Sequence, residues 1–148
     1  MRKIIFLAAL ALSLGACAKG PPIASGPYLA VKCGINPRNT RSASKFVFDR
    51  NNGSLYYFDL LTDTFKPLTR RVEQGIYFNS LEEFSSRLQG KKLIINQIDY
   101  FDKESHRKNI VRSTINLRSL VMYTVYQNPD GTLLRAKKDC VWIDPKLS

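Results

Sequence analysis

The stretch KNIVRSTINLRSLVMYTVYQNPDGTLLRAKK, residues 108–138, indicates the fold most clearly. Its first part, 108–117, alternates between two faces with the period of two that a half-buried β-strand shows. Residues 120–127 are rich in the β-branched and aromatic side chains that strands favour. The sequence Asn-Pro-Asp-Gly at 128–131 is typical of a type I turn followed by a bulge. The stretch therefore predicts antiparallel strands joined by short turns.

The same pattern of short strand-like runs separated by turn residues extends through the rest of the chain. Runs of this kind span 28–33, 45–49, 55–60, 64–71, 75–79, 92–101, 132–138 and 139–143. Pro67 marks a sheet edge or a bulge, because proline cannot donate a ladder hydrogen bond. About eight to ten short strands at this spacing predict a mainly β protein, as a small antiparallel β-barrel or β-sandwich.

One segment has a different pattern and predicts a short helix near 80–89. Ser80 is followed three residues later by Glu83, which is a capping-box spacing. Leu81, Phe84 and Leu88 lie at positions i, i+3 and i+7, which is one face of a helix. The competing interpretation is another polar strand.

Residues 1–16 have the features of a secretory signal peptide. Arg2 and Lys3 form a short positive region, and 4–14 is an apolar run interrupted only by Ser13. That run is too short to span about 30 Å of hydrocarbon as a helix. We therefore expect residues 1–16 to be removed and to take no part in the fold.

The sequence Leu14-Gly15-Ala16-Cys17 resembles the lipobox of bacterial lipoproteins. The resemblance implies cleavage before Cys17 and lipidation of its thiol and new amino group with fatty-acyl chains such as palmitate. Two or more such chains hold a protein stably at a membrane. The resemblance also implies a cell-envelope protein that faces the periplasm, and Ala18 favours the outer over the inner membrane. The alternative is an ordinary secretory signal cleaved near Ala16 or Ala18.

The remaining chain divides into a linker and one domain. Residues 17–27 are rich in Pro, Gly and Ala and predict an extended linker after the lipidated cysteine. Residues 28–148 predict a single β-rich domain. Cys33 and Cys140 lie in its first and last strand-like runs, and an even cysteine count in an exported domain predicts a disulfide. The alternative is two unpaired buried thiols.

The charge of the chain predicts a basic surface. Lys and Arg number 23 and Asp and Glu 12, for a net charge of +11. Many of the basic residues form doublets along the chain, at Arg70, Arg71, Lys91, Lys92, Arg107, Lys108, Lys137 and Lys138. Anionic lipid headgroups attract such residues by about 1 kcal/mol each, and an envelope protein is the alternative partner. The alternative is a surface that serves solubility alone. The exported compartment argues against nucleic acid.

The sequence contains none of the common catalytic motifs. It has no Gly-x-Ser-x-Gly elbow, no His-Glu-x-x-His, no phosphate-binding loop and no Gly-x-Gly-x-x-Gly. His106 is the single histidine, and its polar loop predicts an exposed hairpin tip. We therefore expect no catalytic residues, no metal site and no cofactor.

Three functional hypotheses are open on the sequence alone. The first is a membrane-anchored envelope lipoprotein that acts as a non-enzymatic binding or structural module. The second is a lipocalin-like carrier of a small apolar ligand, because a barrel of about eight strands can hold one. The third is a hydrolase or an enzyme inhibitor with an unrecognised site. Aromatic runs such as Tyr56-Tyr57-Phe58 bear on this choice. One strand face can fill the core, while the other must meet solvent, the helix, a partner or a ligand.

Overall fold

A computed structural model of the chain describes residues 26–38, 43–74, 79–100 and 107–147. Across these ranges the chain forms ten β-strands and one 3-10 turn. The strands are β1 (Tyr28–Gly34), β2 (Ser44–Asp49), β3 (Leu55–Asp59), β4 (Thr64–Pro67), β5 (Arg70–Gln74), β6 (Asn79–Gln89), β7 (Lys92–Tyr100), β8 (Lys108–Asn116), β9 (Val121–Gln127) and β10 (Leu133–Ile143), and the 3-10 turn is Pro145–Leu147. The predicted mainly β class is confirmed.

The ten strands form a single antiparallel sheet that curls into a half-barrel. Their order is β4-β3-β2-β1-β10-β9-β8-β7-β6-β5, so the first strand pairs with the last. The edge strands β4 and β5 are joined by Leu68 and Thr69 alone, which brings the two edges of the sheet to the same place. There the Leu68 N–H donates to the carbonyl of Leu55, and the Phe84 N–H donates to the carbonyl of Thr69. Of the two predicted architectures, the protein therefore has the barrel-like one and not a sandwich of two packed sheets.

The predicted helix near 80–89 is wrong, because Asn79–Gln89 is the strand β6. This strand pairs with β5 on one side and with β7 on the other. Backbone hydrogen bonds to two neighbours outweigh a local capping pattern, since helix propensity is a weak preference. Phe84 and Leu88 are four residues apart and so share a face in either conformation, and both pack against the core. The spacing of these two residues therefore cannot distinguish a helix from a strand.

Two other strand boundaries differ from the prediction. The runs 132–138 and 139–143 form one continuous strand, β10. The run 64–71 divides into β4 and β5, and Pro67 is the last residue of β4 at the sheet edge, as its chemistry predicted. Most of the predicted strand 75–79 lies outside the described residues.

The core lies on the inner face of the half-barrel. The register aligns Leu93 of β7 with Ile115 of β8, and Ile115 with Met122 of β9. All three side chains are buried. Val31 of β1 and Phe48 of β2 are buried in the same core. Apolar residues at alternate positions of neighbouring strands thus fill the middle of the curl.

The predicted disulfide between Cys33 and Cys140 is confirmed. The two residues are directly opposite each other in β1 and β10, with a Cα–Cα distance of 4.1 Å. Both belong to the buried core. The bond therefore links the first and last strands covalently, and backbone hydrogen bonds already pair the same two strands.

Aromatic rings on the outer face form a second, smaller layer. Tyr28 stacks on Phe65 with ring centroids 4.1 Å apart and meets the edge of Tyr56 at 5.0 Å. Phe58 meets Phe65 at 4.9 Å, and the ammonium group of Lys146 lies over Phe58. These rings attach the β3–β4 hairpin to the start of β1 and to the C-terminal turn. The second aromatic face therefore has a structural partner within the chain.

Candidate functional site

Three hairpin turns meet at one end of the half-barrel. They are the β2–β3 turn at 50–54, the β6–β7 turn at 90–91 and the β8–β9 turn at 117–120. The Leu117 N–H donates to the carbonyl of Lys91, which joins two of these turns. The described chain also begins at this end, where the Arg50 N–H donates to the carbonyl of Pro27 at 2.9 Å.

A pocket of about 550 Å³ opens at this end, and we call it the mouth. Its floor is apolar, because buried and partly buried hydrophobic side chains line the pocket. Leu29 and Phe48 in the floor are buried core residues. The other floor residues are partly buried and pack against the core. The apolar floor consists of Leu29, Phe48, Leu88, Leu117 and Trp142.

Three cationic residues form the rim of the mouth: Arg50, Lys91 and Arg118. Among the described residues that line the pocket, none is acidic. Cations that surround a low-dielectric surface create a positive potential that attracts anions. The mouth is therefore an apolar surface bordered by positive charge.

Local hydrogen bonds order the turns that carry these cations. The Asn116 side-chain oxygen accepts hydrogen bonds from the backbone N–H groups of Arg118 and Ser119, at 2.9 and 3.1 Å. The Asp49 carboxylate accepts one from Asn51 N–H at 2.8 Å, next to Arg50. Side-chain oxygens that bind the backbone two or three residues onward are typical of stable turns. The rim cations therefore project from ordered backbone.

The β2–β3 turn closes the half-barrel against β6 at Gly53. This residue is buried and has a φ of +70°. A Cβ atom added there would lie 2.2 Å from the backbone nitrogen of Leu88, a residue of the mouth floor. Only glycine allows so close an approach of two backbones in this conformation. Gly53 thus packs against the backbone of Leu88, whose side chain lines the mouth.

A second cavity has a volume of about 450 Å³ and is lined mainly by residues of β2, β3, β5 and β6. We call this region, near the two edges of the sheet, the seam. Here Arg71 forms an ion pair with Glu82 on the neighbouring strand and lies 5.9 Å from the ring centre of Phe84. The Gln97 amide donates to Glu82 at 3.3 Å and to Asp99 at 2.7 Å. These charged groups therefore bind one another, which suits a structural network better than a binding site.

The predicted basic residues do not form one surface. Of the eight residues in the doublets, Lys91 lies on the rim of the mouth and Lys92 begins the adjoining strand β7. Arg70 and Arg71 lie at the seam, and the pair at 107–108 borders a depression near the β9–β10 turn. Residues 137–138 lie within β10, where Lys137 lies over Tyr123. Two further predicted residues, Cys17 and His106, lie outside the described ranges.

Arg50 and Arg118 belong to none of the basic doublets that the sequence singles out. Each is a single cation in a hairpin turn, beside an asparagine or aspartate whose side chain orders that turn. That local signal, a cation within an Asx-type turn, was available in the sequence. Nothing local, however, indicated that the turns at 50–54, 90–91 and 117–120 meet.

Comparisons with known proteins identify no relative. No protein-family model matches the chain, and no curated protein or solved structure matches it. Within the described ranges, no three His, Cys, Asp or Glu side chains are grouped so that they could hold a metal ion. In the same part of the chain, no helix has the length and hydropathy needed to cross a membrane.

Proposed function

We propose that the protein is a membrane-anchored envelope lipoprotein that acts as a non-enzymatic binding module through its mouth. One observation carries the proposal: the mouth lies at the end of the half-barrel where β1 begins, and the predicted linker 17–27 precedes β1 in the chain. Ten linker residues extend to at most about 35 Å. A lipid anchor at Cys17 therefore holds this end within about 35 Å of the membrane, which allows Arg50, Lys91 and Arg118 to reach the headgroups.

The physical chemistry of this end supports a membrane-facing orientation. Each Lys or Arg that reaches anionic headgroups contributes about 1 kcal/mol of attraction. The Cys33–Cys140 disulfide supports an oxidising compartment, such as the periplasm. Ala18 remains the reason to favour the outer membrane.

Mass spectrometry of the protein extracted from its native envelope tests the anchor. The expected product begins at Cys17 and carries the mass of attached acyl chains, and a Cys17→Ala variant loses stable membrane attachment. Recovery of an unmodified chain that begins near Ala18, in the aqueous fraction, would overturn the lipoprotein assignment.

Vesicle flotation of unlipidated residues 17–148 tests the orientation. We expect binding to phosphatidylcholine vesicles only when phosphatidylglycerol is included. The substitutions Arg50→Gln, Lys91→Gln and Arg118→Gln together should weaken it by about 3 kcal/mol, on the order of a hundredfold. A matched control with the same change of charge replaces exposed outer-face residues of β8 and β10 by glutamine, at Arg112, Arg135 and Lys137. Equal loss in both variants would show that only net charge matters and would refute the proposed orientation.

The carrier hypothesis has one observation in its favour, the apolar floor of the mouth. Side chains such as Leu93, Ile95 and Ile115 fill the middle of the half-barrel. We therefore place any bound apolar group at the mouth rather than deep between the strands.

A further inference from the structure

We infer that the mouth binds one single-chain anionic amphiphile, with its acyl chain on the apolar floor and its carboxylate or phosphate among the rim cations. This inference rests on the proposed binding module and specifies the chemical class of its ligand. It commits to a monomeric amphiphile taken up into the pocket, as distinct from the surface of a bilayer.

The floor supplies the part of the site that an acyl chain requires. Burial of a methylene group from water contributes about 0.8 kcal/mol. The side chains of Leu88, Leu117 and Trp142 are partly exposed around the mouth although they pack against the core. The volume of about 550 Å³ lies within the range of small-molecule sites. A flexible acyl chain covers this surface without any change in the strands.

The rim supplies the selectivity for an anionic headgroup. Arg50, Lys91 and Arg118 come from three different turns, and all three line the mouth. Charge-assisted hydrogen bonds from arginine to a carboxylate or phosphate are about twice as strong as neutral ones. A neutral headgroup forms none of these bonds and leaves the three cations without a counterion. The mouth therefore discriminates by the charge of the headgroup as well as by the presence of the chain.

Trp142 makes the site directly observable, because it is the only tryptophan of the chain and lies in the floor. The experiment uses residues 17–148 with Cys17→Ser, exported so that the disulfide forms. Dodecyl phosphate, dodecyl maltoside and inorganic phosphate are titrated below the critical micelle concentrations of the two detergents. A fatty acid brominated on its chain is then titrated as a contact quencher of Trp142.

We expect a saturable change in Trp142 fluorescence with dodecyl phosphate and saturable quenching by the brominated acid. Dodecyl maltoside should bind at least about tenfold more weakly, and the Arg50→Gln, Lys91→Gln, Arg118→Gln variant should lose about tenfold in affinity for dodecyl phosphate. The Arg112→Gln, Arg135→Gln, Lys137→Gln variant should bind as the parent does. The rim positions are exposed in turns and the control positions are exposed on the outer face, so both variants should fold.

Five results would overturn the inference. The first is no saturable response to the brominated acid. The second is equal affinity for the phosphate and maltoside headgroups, and the third is equal loss in the rim variant and its control. If the protein floats with anionic vesicles but does not bind monomeric dodecyl phosphate, the inference is also overturned. The proposed membrane-facing module would then still stand. Binding of inorganic phosphate with the affinity of dodecyl phosphate would show a simple anion site and would equally refute the acyl-chain assignment.

Discussion

Replacement of Gly53 by alanine is expected to destabilise the half-barrel at the end that carries the mouth. The reason is a double constraint on this residue. Its φ of +70° is a left-handed conformation that side chains disfavour, and the new Cβ atom would collide with β6. The three nearest atoms are Leu88 N at 2.2 Å, Leu88 Cβ at 2.6 Å and Arg87 C at 2.9 Å. Because most of this contact is with backbone, rotation of a side chain cannot relieve it.

The expected loss of stability is the sum of two terms. The left-handed conformation costs an L residue about 1–2 kcal/mol. Insertion of a methyl group into a closely packed contact costs about 1–3 kcal/mol more. We therefore expect Gly53→Ala to lower the free energy of unfolding by about 2–5 kcal/mol, a large part of the 5–15 kcal/mol that is typical of a domain.

Two other turn glycines provide matched controls. Gly90 and Gly131 have φ values of +58° and +85°, which bracket that of Gly53, and neither has an atom within 4 Å of an added Cβ. Alanine at either position should cost only the conformational term, about 1–2 kcal/mol. Urea unfolding with the disulfide intact, followed by Trp142 fluorescence, measures all three variants. If Gly53→Ala unfolds at the same urea concentration as both controls, the close approach of the β2–β3 turn to β6 is refuted.

Three further predictions concern other parts of the fold. Replacement of both cysteines of the β1–β10 disulfide by alanine should lower the free energy of unfolding by up to about 4.7 kcal/mol, because the bond closes a loop of more than a hundred residues; a reductant that leaves the parent's urea midpoint unchanged would contradict this. Ser113 and Thr124 share a buried hydrogen bond of 3.0 Å, so Ser113→Ala should cost about 1–3 kcal/mol, whereas Ser113→Ala with Thr124→Val should be nearly neutral by the same urea assay. Lys66 binds Asp59 across the β3–β4 hairpin and holds the pKa of that carboxyl below its ordinary value of 3.8. The pair's contribution is therefore present above this ordinary pKa and lost as the pH falls through the lower folded-state pKa, and Lys66→Ala should raise the pKa of Asp59 in an NMR titration.

The elements that the sequence predicted correctly have local causes. Alternation over 108–117 and β-branched residues over 120–127 specify strands, because a period of two gives each strand an apolar face. The Asn-Pro-Asp-Gly turn at 128–131 ends in Gly131, which adopts a positive φ without the steric cost that a side chain would bring. The even number of cysteines in an exported domain, both in strand-like runs, indicated the disulfide. For the strands and the turn, the residues that matter lie next to one another or obey a short period.

The errors and omissions arise from contacts between distant segments. Residues 80–89 carry a helix-like cap, but pairing with β5 and β7 makes them a strand. The basic doublets are adjacent in the chain, and adjacent residues in a strand point to opposite faces. Their sequence positions therefore do not indicate which cations of distant segments lie together. The rim of the mouth instead takes one cation from each of three turns.

The sequence by itself determined the strand content, the principal turns and the two cysteines that pair, and it predicts the lipid anchor at Cys17. The tertiary structure decided that a single sheet curls so that its first strand meets its last and its two edges meet at Leu68 and Thr69. That curl also places Arg50, Lys91 and Arg118 around one apolar floor. The physical reason is that periodicity and turn chemistry act over a few residues, whereas a pocket depends on which distant turns the strand register brings together.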